Sequence, residues 1–261
     1  MTRSVFLDEL PWPEVRARLD AGRDRALVLL GSTENHGPHA PLGTDTFIAR
    51  GVGERLAARL DAVATPPMPF GHAPQHMGFA GSVTLTNRTL ATVLVEVVRG
   101  LARHGFGSFA FLSGHGGNRV AIDLALSEIA ESLPDVALVH ARMLPIQTGA
   151  PFEAVVQAKW PSPLSMPWGA HGGEQETSAV LAVRPDLVDL DRAAPVPDMS
   201  TYLQATRDPA VTRVERDVAD YAPDGNWGDP RGADAEQGRL FLDAMAEELA
   251  ARIEPLLTRA R

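Results

Sequence analysis

The 261-residue chain has no cysteine, so disulfides and thiolate metal ligands are excluded, and any metal must be held by His, Asp or Glu. Lysine is almost absent too, Lys159 standing alone, and 24 basic residues face 33 acidic ones for a formal net charge of −9. No basic surface therefore speaks for nucleic acid or an acidic membrane. The arginines are scattered rather than clustered, and beside so much alanine they fit a GC-rich coding bias better than a phosphate patch. No apolar run approaches the ~20 residues that span a bilayer, and the N-terminal stretch has no apolar core of signal-peptide length. The expectation is a cytoplasmic protein with no nucleic-acid or membrane partner.

What is present is 44% hydrophobic residues, enough for a sizeable core in a chain near the upper length for one domain. Residues 1–261 are expected to form one α/β domain. Ala26–Leu30, Ala62–Thr65 with Met68–Phe70, Ser108–Leu112 and Val136–His140 read as strands, and 79–86 reads as an edge strand or hairpin. Helical stripes cover Trp12–Leu19, Thr46–Leu60, Leu90–Leu101, Arg119–Leu133, Ala179–Val183 and Ala233–Leu257. This alternation predicts a three-layer α/β/α sandwich with a mainly parallel sheet, in which ligands bind outside the carboxyl ends of the strands. The proline-rich stretch 145–167, holding Trp160 and running on to Trp168, reads as a long loop of the kind that forms lids and binding walls. Residues 195–230 read as irregular.

The richest stretch runs from Gly31 to Asp45 and follows the first strand. Glu34 and His36 leave that strand two residues apart on extended chain and so point the same way. Pro38, Pro41 and Gly43 then turn the chain so that Asp45 can return toward them. Carboxylates beside imidazoles suit a divalent transition metal. The plainer role for Asp45 is a helix cap. A second strand also delivers a histidine at its carboxyl end, in Ser113-Gly-His115-Gly116-Gly117-Asn118. Neither nucleotide-binding glycine motif is present, so this loop is a weak candidate for cradling phosphate. His171, Glu174 and Glu176 sit at a helix start, where carboxylates are common as first-turn charges. His72 and His76, in a Gly/Pro loop, read as surface or supporting histidines more readily than substrate contacts.

Three motifs together, Glu34-Asn-His36-Gly-Pro-His-Ala-Pro-Leu-Gly-Thr-Asp45, Ser-Gly-His115-Gly-Gly-Asn118 and His171-Gly-Gly-Glu-Gln-Glu176-Thr-Ser178, resemble the creatininase (creatinine amidohydrolase) family in order and spacing over nearly the whole chain. The resemblance implies a two-metal centre of zinc, manganese or iron, hydrolysis of a small-molecule amide, and a homo-oligomer, often a hexamer. It implies Asp45 as the bridge, Glu34 and His115 at one metal, and His36 at the other, with Glu176 the natural choice for the remaining ligand and Glu174 the alternative. His171 is then the proton carrier, assisted by Glu174 or Glu176. Gly116 and Gly117 amides, with Asn118, and Trp168 would meet the substrate. His39 supports rather than ligates.

One departure bears on substrate. The creatinine-hydrolysing members carry a glutamate two positions after the loop histidine, where this chain has Gly117. Ala40 and Gly172 are smaller changes. The glycine loop is nearer to the formamide-hydrolysing branches of flavin and deazaflavin pathways and to the peptide-trimming branch of mycofactocin maturation. A non-catalytic metal- or nucleotide-binding relic is the alternative of another class, and it should have lost one of the five ligands.

Overall fold

The apolar runs pair into a parallel sheet. The computed structural model describes residues 4–142, 171–194, 196 and 217–257. The long loop with Trp160 and Trp168, and most of the irregular 195–230 segment, lie outside the described residues. Strands β1 (Arg25–Leu30), β2 (Val63–Ala64), β3 (Ser108–Ser113) and β4 (Ala137–Ala141) stand in the order β2-β1-β3-β4, all parallel. β1 and β3 run in register from Arg25 opposite Ser108 to Leu30 opposite Ser113. Both are covered on two faces, which is why each reads as a continuous apolar run rather than an alternating one.

Successive side chains point to opposite faces and divide the core in two. Leu27, Leu29, Ala110 and Leu112 pack with α2 (Thr44–Arg59), α5 (Glu174–Val183) and α6 (Ala235–Ile253). Ala26, Val28, Leu30, Phe109 and Phe111 pack with α3 (Asn87–Arg103) and α4 (Arg119–Ser132), and α1 (Trp12–Asp20) adds Val15 and Leu19 to that side. The result is the expected three-layer α/β/α sandwich. Each fully buried Leu or Phe stabilises it by about 1.5–3 kcal/mol. Helix starts follow local chemistry: the Thr86 hydroxyl accepts from the Thr89 amide, and Asp234 accepts from Glu236 and Gln237. Among the described residues no helix is long and apolar enough to cross a membrane.

Several boundaries differ from the sequence expectation. The second strand keeps only Val63 and Ala64, with an isolated bridge from Leu30 to Met68, because Pro66 and Pro67 interrupt it and donate no hydrogen bond. Residues 79–86 form no hairpin; they make single bridges, Thr33 to Val83 and Gly71 to Thr84, with the segments that follow β1 and β2. α2 starts at Thr44 and α5 at Glu174, each earlier than its apolar stripe, so Asp45, Glu174 and Glu176 lie in first helical turns. The last helix ends at Ile253, and Pro255 sits in the 3-10 turn that follows.

Candidate metal centre

The site forms where β1 and β3, neighbours in the sheet, release their chains. After β1 the Glu34 amide donates to the Leu42 carbonyl at 3.0 Å, closing the loop that brings Asp45 back to Glu34 and His36. Asp45 caps nothing; Gly43 is the N-cap of α2, and no side chain caps it. After β3 the Ser113 hydroxyl accepts from the His115 amide at 3.1 Å and turns the histidine toward the same point. Gly114 permits this approach, because a Cβ there would stand 2.1 Å from the Asp45 carbonyl.

Asp45 sits between two imidazoles. Its Oδ1 lies 3.2 Å from His36 Nε2 and its Oδ2 3.2 Å from His115 Nδ1. His115 Nδ1 is also 3.1 Å from Glu34 Oε2, and His36 Nε2 is 3.8 Å from Glu176 Oε2. Two metal-capable groups therefore share Asp45: Glu34, Asp45 and His115 make one, and His36, Asp45 and Glu176 the other. A third group joins Glu34, His36 and His171. Except for Glu176, which is partly exposed, these side chains are buried.

The remaining ring nitrogens decide what the cluster needs. His115 Nε2 lies 3.0 Å from the His72 carbonyl, and His36 Nδ1 lies 3.2 Å from the Glu34 carbonyl. A carbonyl only accepts, so a neutral ring spends its one N–H there and turns a lone pair toward the carboxylates. Among the described residues, Asp45 Oδ2 is correspondingly buried without a hydrogen-bond partner. Acceptors converging on acceptors require positive charge between them, supplied by protons or by cations. Tying the second nitrogen to a carbonyl is also how metal-ligating histidines are held. Carboxylate oxygen and imidazole nitrogen suit zinc, manganese or iron, so the donor set fits a divalent pair.

Without a metal, the protons take that place. Burial pulls His36 down, but the Asp45 carboxylate, a hydrogen bond to it, and Glu176 raise it to about 9. His115 is likewise raised, burial being outweighed by Glu34 and Asp45. Burial would raise Glu34, yet attraction to His115 leaves it lowered. Asp45 is lowered for the same reason, burial losing to His36 and His115. Glu176 is pushed up to about 7 by burial, with His36 opposing and Asp45 adding to the rise.

His171 lies against this cluster. Its Nε2 meets the Asn35 carbonyl at 2.5 Å, which leaves Nδ1 as the free nitrogen, 4.0 Å from Glu34 Oε1. The ring lies between His36, 4.2 Å away, and Trp227, stacked at 4.5 Å. Burial, then His36 and His76, lower its pKa well below the usual value, so the ring is neutral.

Other expected residues fall elsewhere. Glu174 is buried with its carboxylate against Gly232, outside the three metal-capable groups, and its Oε1 has no partner among the described residues. Asn118 is not available to substrate: its amide donates to the Gly31 carbonyl and Ser113 Oγ and accepts from the His72 amide. It is a strut between the two strand ends. Gly116 and Gly117 open the 3-10 turn beyond His115, and a Cβ on Gly117 would stand 2.3 Å from His115 Nε2. His39 faces Thr177 at 3.1 Å and supports α5. Trp168 lies outside the described residues. The sequence reading missed Trp227, whose aromatic character was the available signal, and the part played by Asn35 and His76.

An α/β sandwich with a buried carboxylate and imidazole cluster at its strand ends is the architecture of a metallohydrolase. The chain matches the Creatininase (creatinine amidohydrolase) family over residues 8–253 and belongs to that family. It is 32% identical over 263 residues to the creatinine amidohydrolase of Pseudomonas putida, covering 96% of each chain. It is also 32% identical over 241 residues to the mycofactocin precursor peptide peptidase of Mycobacterium ulcerans (strain Agy99), covering 87% of this chain and 83% of the relative. Two solved creatininases, a mutant of Zn-Zn type and a manganese form, are each 30% identical with a TM-score of 0.79. They cover 98% and 97% of this chain respectively, and 99% of each solved chain is matched.

Proposed function

We propose that the protein is a metal-dependent amidohydrolase that cleaves a carbon–nitrogen bond in an amide substrate. Glu34, Asp45 and His115 would hold one divalent cation, and His36, Asp45 and Glu176 the other. Bound there, such a pair supplies Lewis acidity, lowering the pKa of water toward neutrality and polarising a carbonyl. The observation that carries this reading is Asp45, which gives one oxygen to each of two imidazoles whose other nitrogens face carbonyls.

The chain's own groups supply the rest. His171 is neutral and offers Nδ1 beside Glu34, so it can take a proton from the attacking water and return it to the leaving nitrogen. Trp227 covers one face of that ring and limits its movement. The Gly116 and Gly117 amides are the candidate donors to the developing oxyanion. Glu174 is left out of the proton path because its carboxylate faces Gly232. A non-catalytic relic should lack a donor, and all five converge here.

The substrate follows from a screen of the metal-loaded protein against small cyclic amides, formamides and short peptides. The expected result is hydrolysis of one class, lost with chelator and restored by metal. Hydrolysis of none by a fully loaded protein overturns the proposal. Creatinine is not favoured, because Gly117 stands where the creatinine-hydrolysing members carry a glutamate.

A further inference from the structure

Glu34 offers two oxygens, and the structure gives them different neighbours. Oε2 accepts from Ser32 Oγ at 2.7 Å and is the oxygen that faces His115 Nδ1. Oε1 lies 3.3 Å from His76 Nε2. Among the described residues His76 belongs to none of the metal-capable groups, yet it is buried, with the His171 ring 4.6 Å away.

Each nitrogen of His76 has a polar neighbour. Asn35 Nδ2 lies 2.7 Å from His76 Nδ1. Asn35 Oδ1 faces the Gly37 amide at 3.5 Å, which fixes the orientation of the side chain: oxygen toward Gly37, NH2 toward His76. Gly225 closes over the same oxygen so tightly that a Cβ there would stand 1.9 Å from it, on a backbone with φ +86° that favours glycine. His76 Nδ1 is therefore an acceptor, and the proton of the ring sits on Nε2, the nitrogen 3.3 Å from Glu34 Oε1. Flipping the ring would set carbon against both partners and lose the bond to Asn35.

We infer that His76 is a positioning residue for Glu34: Asn35 sets its tautomer, and its Nε2–H holds Oε1 so that Oε2 alone is presented to the cation shared with Asp45 and His115. This rests on the two-cation reading above. A carboxylate held at one oxygen keeps its rotamer and offers a cation a single oxygen. Asn35 stands between Glu34 and His36 and also receives His171 Nε2 on its main-chain carbonyl, so one residue fixes two buried imidazoles.

The test compares His76→Leu, which lacks the donor, with His76→Gln, whose amide N–H reaches the same oxygen. Each variant is stripped, its metal-free melting is recorded, and Mn2+ or Zn2+ affinity is measured by competition with a chelator. His76→Leu is expected to melt close to wild type without metal, to bind about 10–100-fold more weakly, and to reach wild-type stoichiometry at saturation. His76→Gln is expected to recover most of the loss. Wild-type affinity in His76→Leu overturns the inference. So does a lowered stoichiometry in both variants, which would make His76 a ligand.

A second readout needs no metal. The ring-nitrogen NMR shifts of His76 in the metal-free protein should report the Nε2–H tautomer, and Asn35→Ala should mix the two tautomers. A proton on Nδ1 in wild type overturns the inference. If wild type binds no metal while the Nε2–H tautomer is present, the two-cation reading fails and the link between His76 and Glu34 stands.

Discussion

Gly117 and His115 share space that admits no further side chain: a Cβ on Gly117 would stand 2.3 Å from His115 Nε2 and equally close to the His72 carbonyl that this nitrogen faces. The glycine is therefore part of how His115 is held. Placing a glutamate there by Gly117→Glu should break the contact between His115 and His72 and weaken metal binding about 10–100-fold. A chelator competition checks this, and a gain in affinity would show that position 117 still has room for a ligand.

His171 is expected to move protons without holding metal. His171→Ala should retain the wild-type metal content by elemental analysis and lose about 10²–10⁴-fold in kcat. Loss of metal would instead make it a ligand, as the grouping of Glu34, His36 and His171 allows.

Trp227 restrains His171 twice, by its ring stacked at 4.5 Å and by its amide, which donates to the His171 carbonyl at 3.1 Å. Trp227→Ala should lower kcat roughly ten- to hundredfold with metal content unchanged, because a loosened proton carrier misses its geometry. Trp227→Phe should keep most of the rate. An unchanged kcat in Trp227→Ala would remove this role.

Stability should depend on pH differently with and without metal. In the metal-free protein His36 is raised from 6.5 to about 9, so its proton stabilises the fold fully below pH 6.5, and that contribution is lost as pH rises through 9. His39 and His76 are lowered to about 4, both chiefly by burial. Their contribution is present above pH 6.5 and is lost as pH falls through 4. Metal should take over from the proton on His36, so the gap in Tm between loaded and stripped protein should widen from pH 6.5 to 9. Thermal melts across that range test it, and a gap that narrows would contradict it.

Much of this was legible in the sequence because it rests on local patterns. Apolar runs marked β1 and β3, and residues at the ends of parallel strands converge whatever the loops do, which brought Glu34, His36, Asp45 and His115 together on paper. The surroundings of these residues were not legible. His76 sits in a Gly/Pro loop whose path is set by Asp217, which accepts from the Gly78 amide at 2.6 Å across 139 residues of sequence. No local periodicity encodes such a contact. Asn118 reads as a loop polar residue until its buried partners Gly31, Ser113 and His72 are seen. Glu174 and Glu176 share one helical turn, and only the packing of α5 decides which of them reaches His36.

The most direct test of the shared Asp45 is metal stoichiometry after loading and removal of free ions. Wild type should carry two divalent ions per chain, Glu176→Gln one, and Asp45→Asn fewer than one, with all three folded by circular dichroism. Fewer than one ion per wild-type chain, or an Asp45→Asn variant that still carries two, would contradict a centre built on that carboxylate.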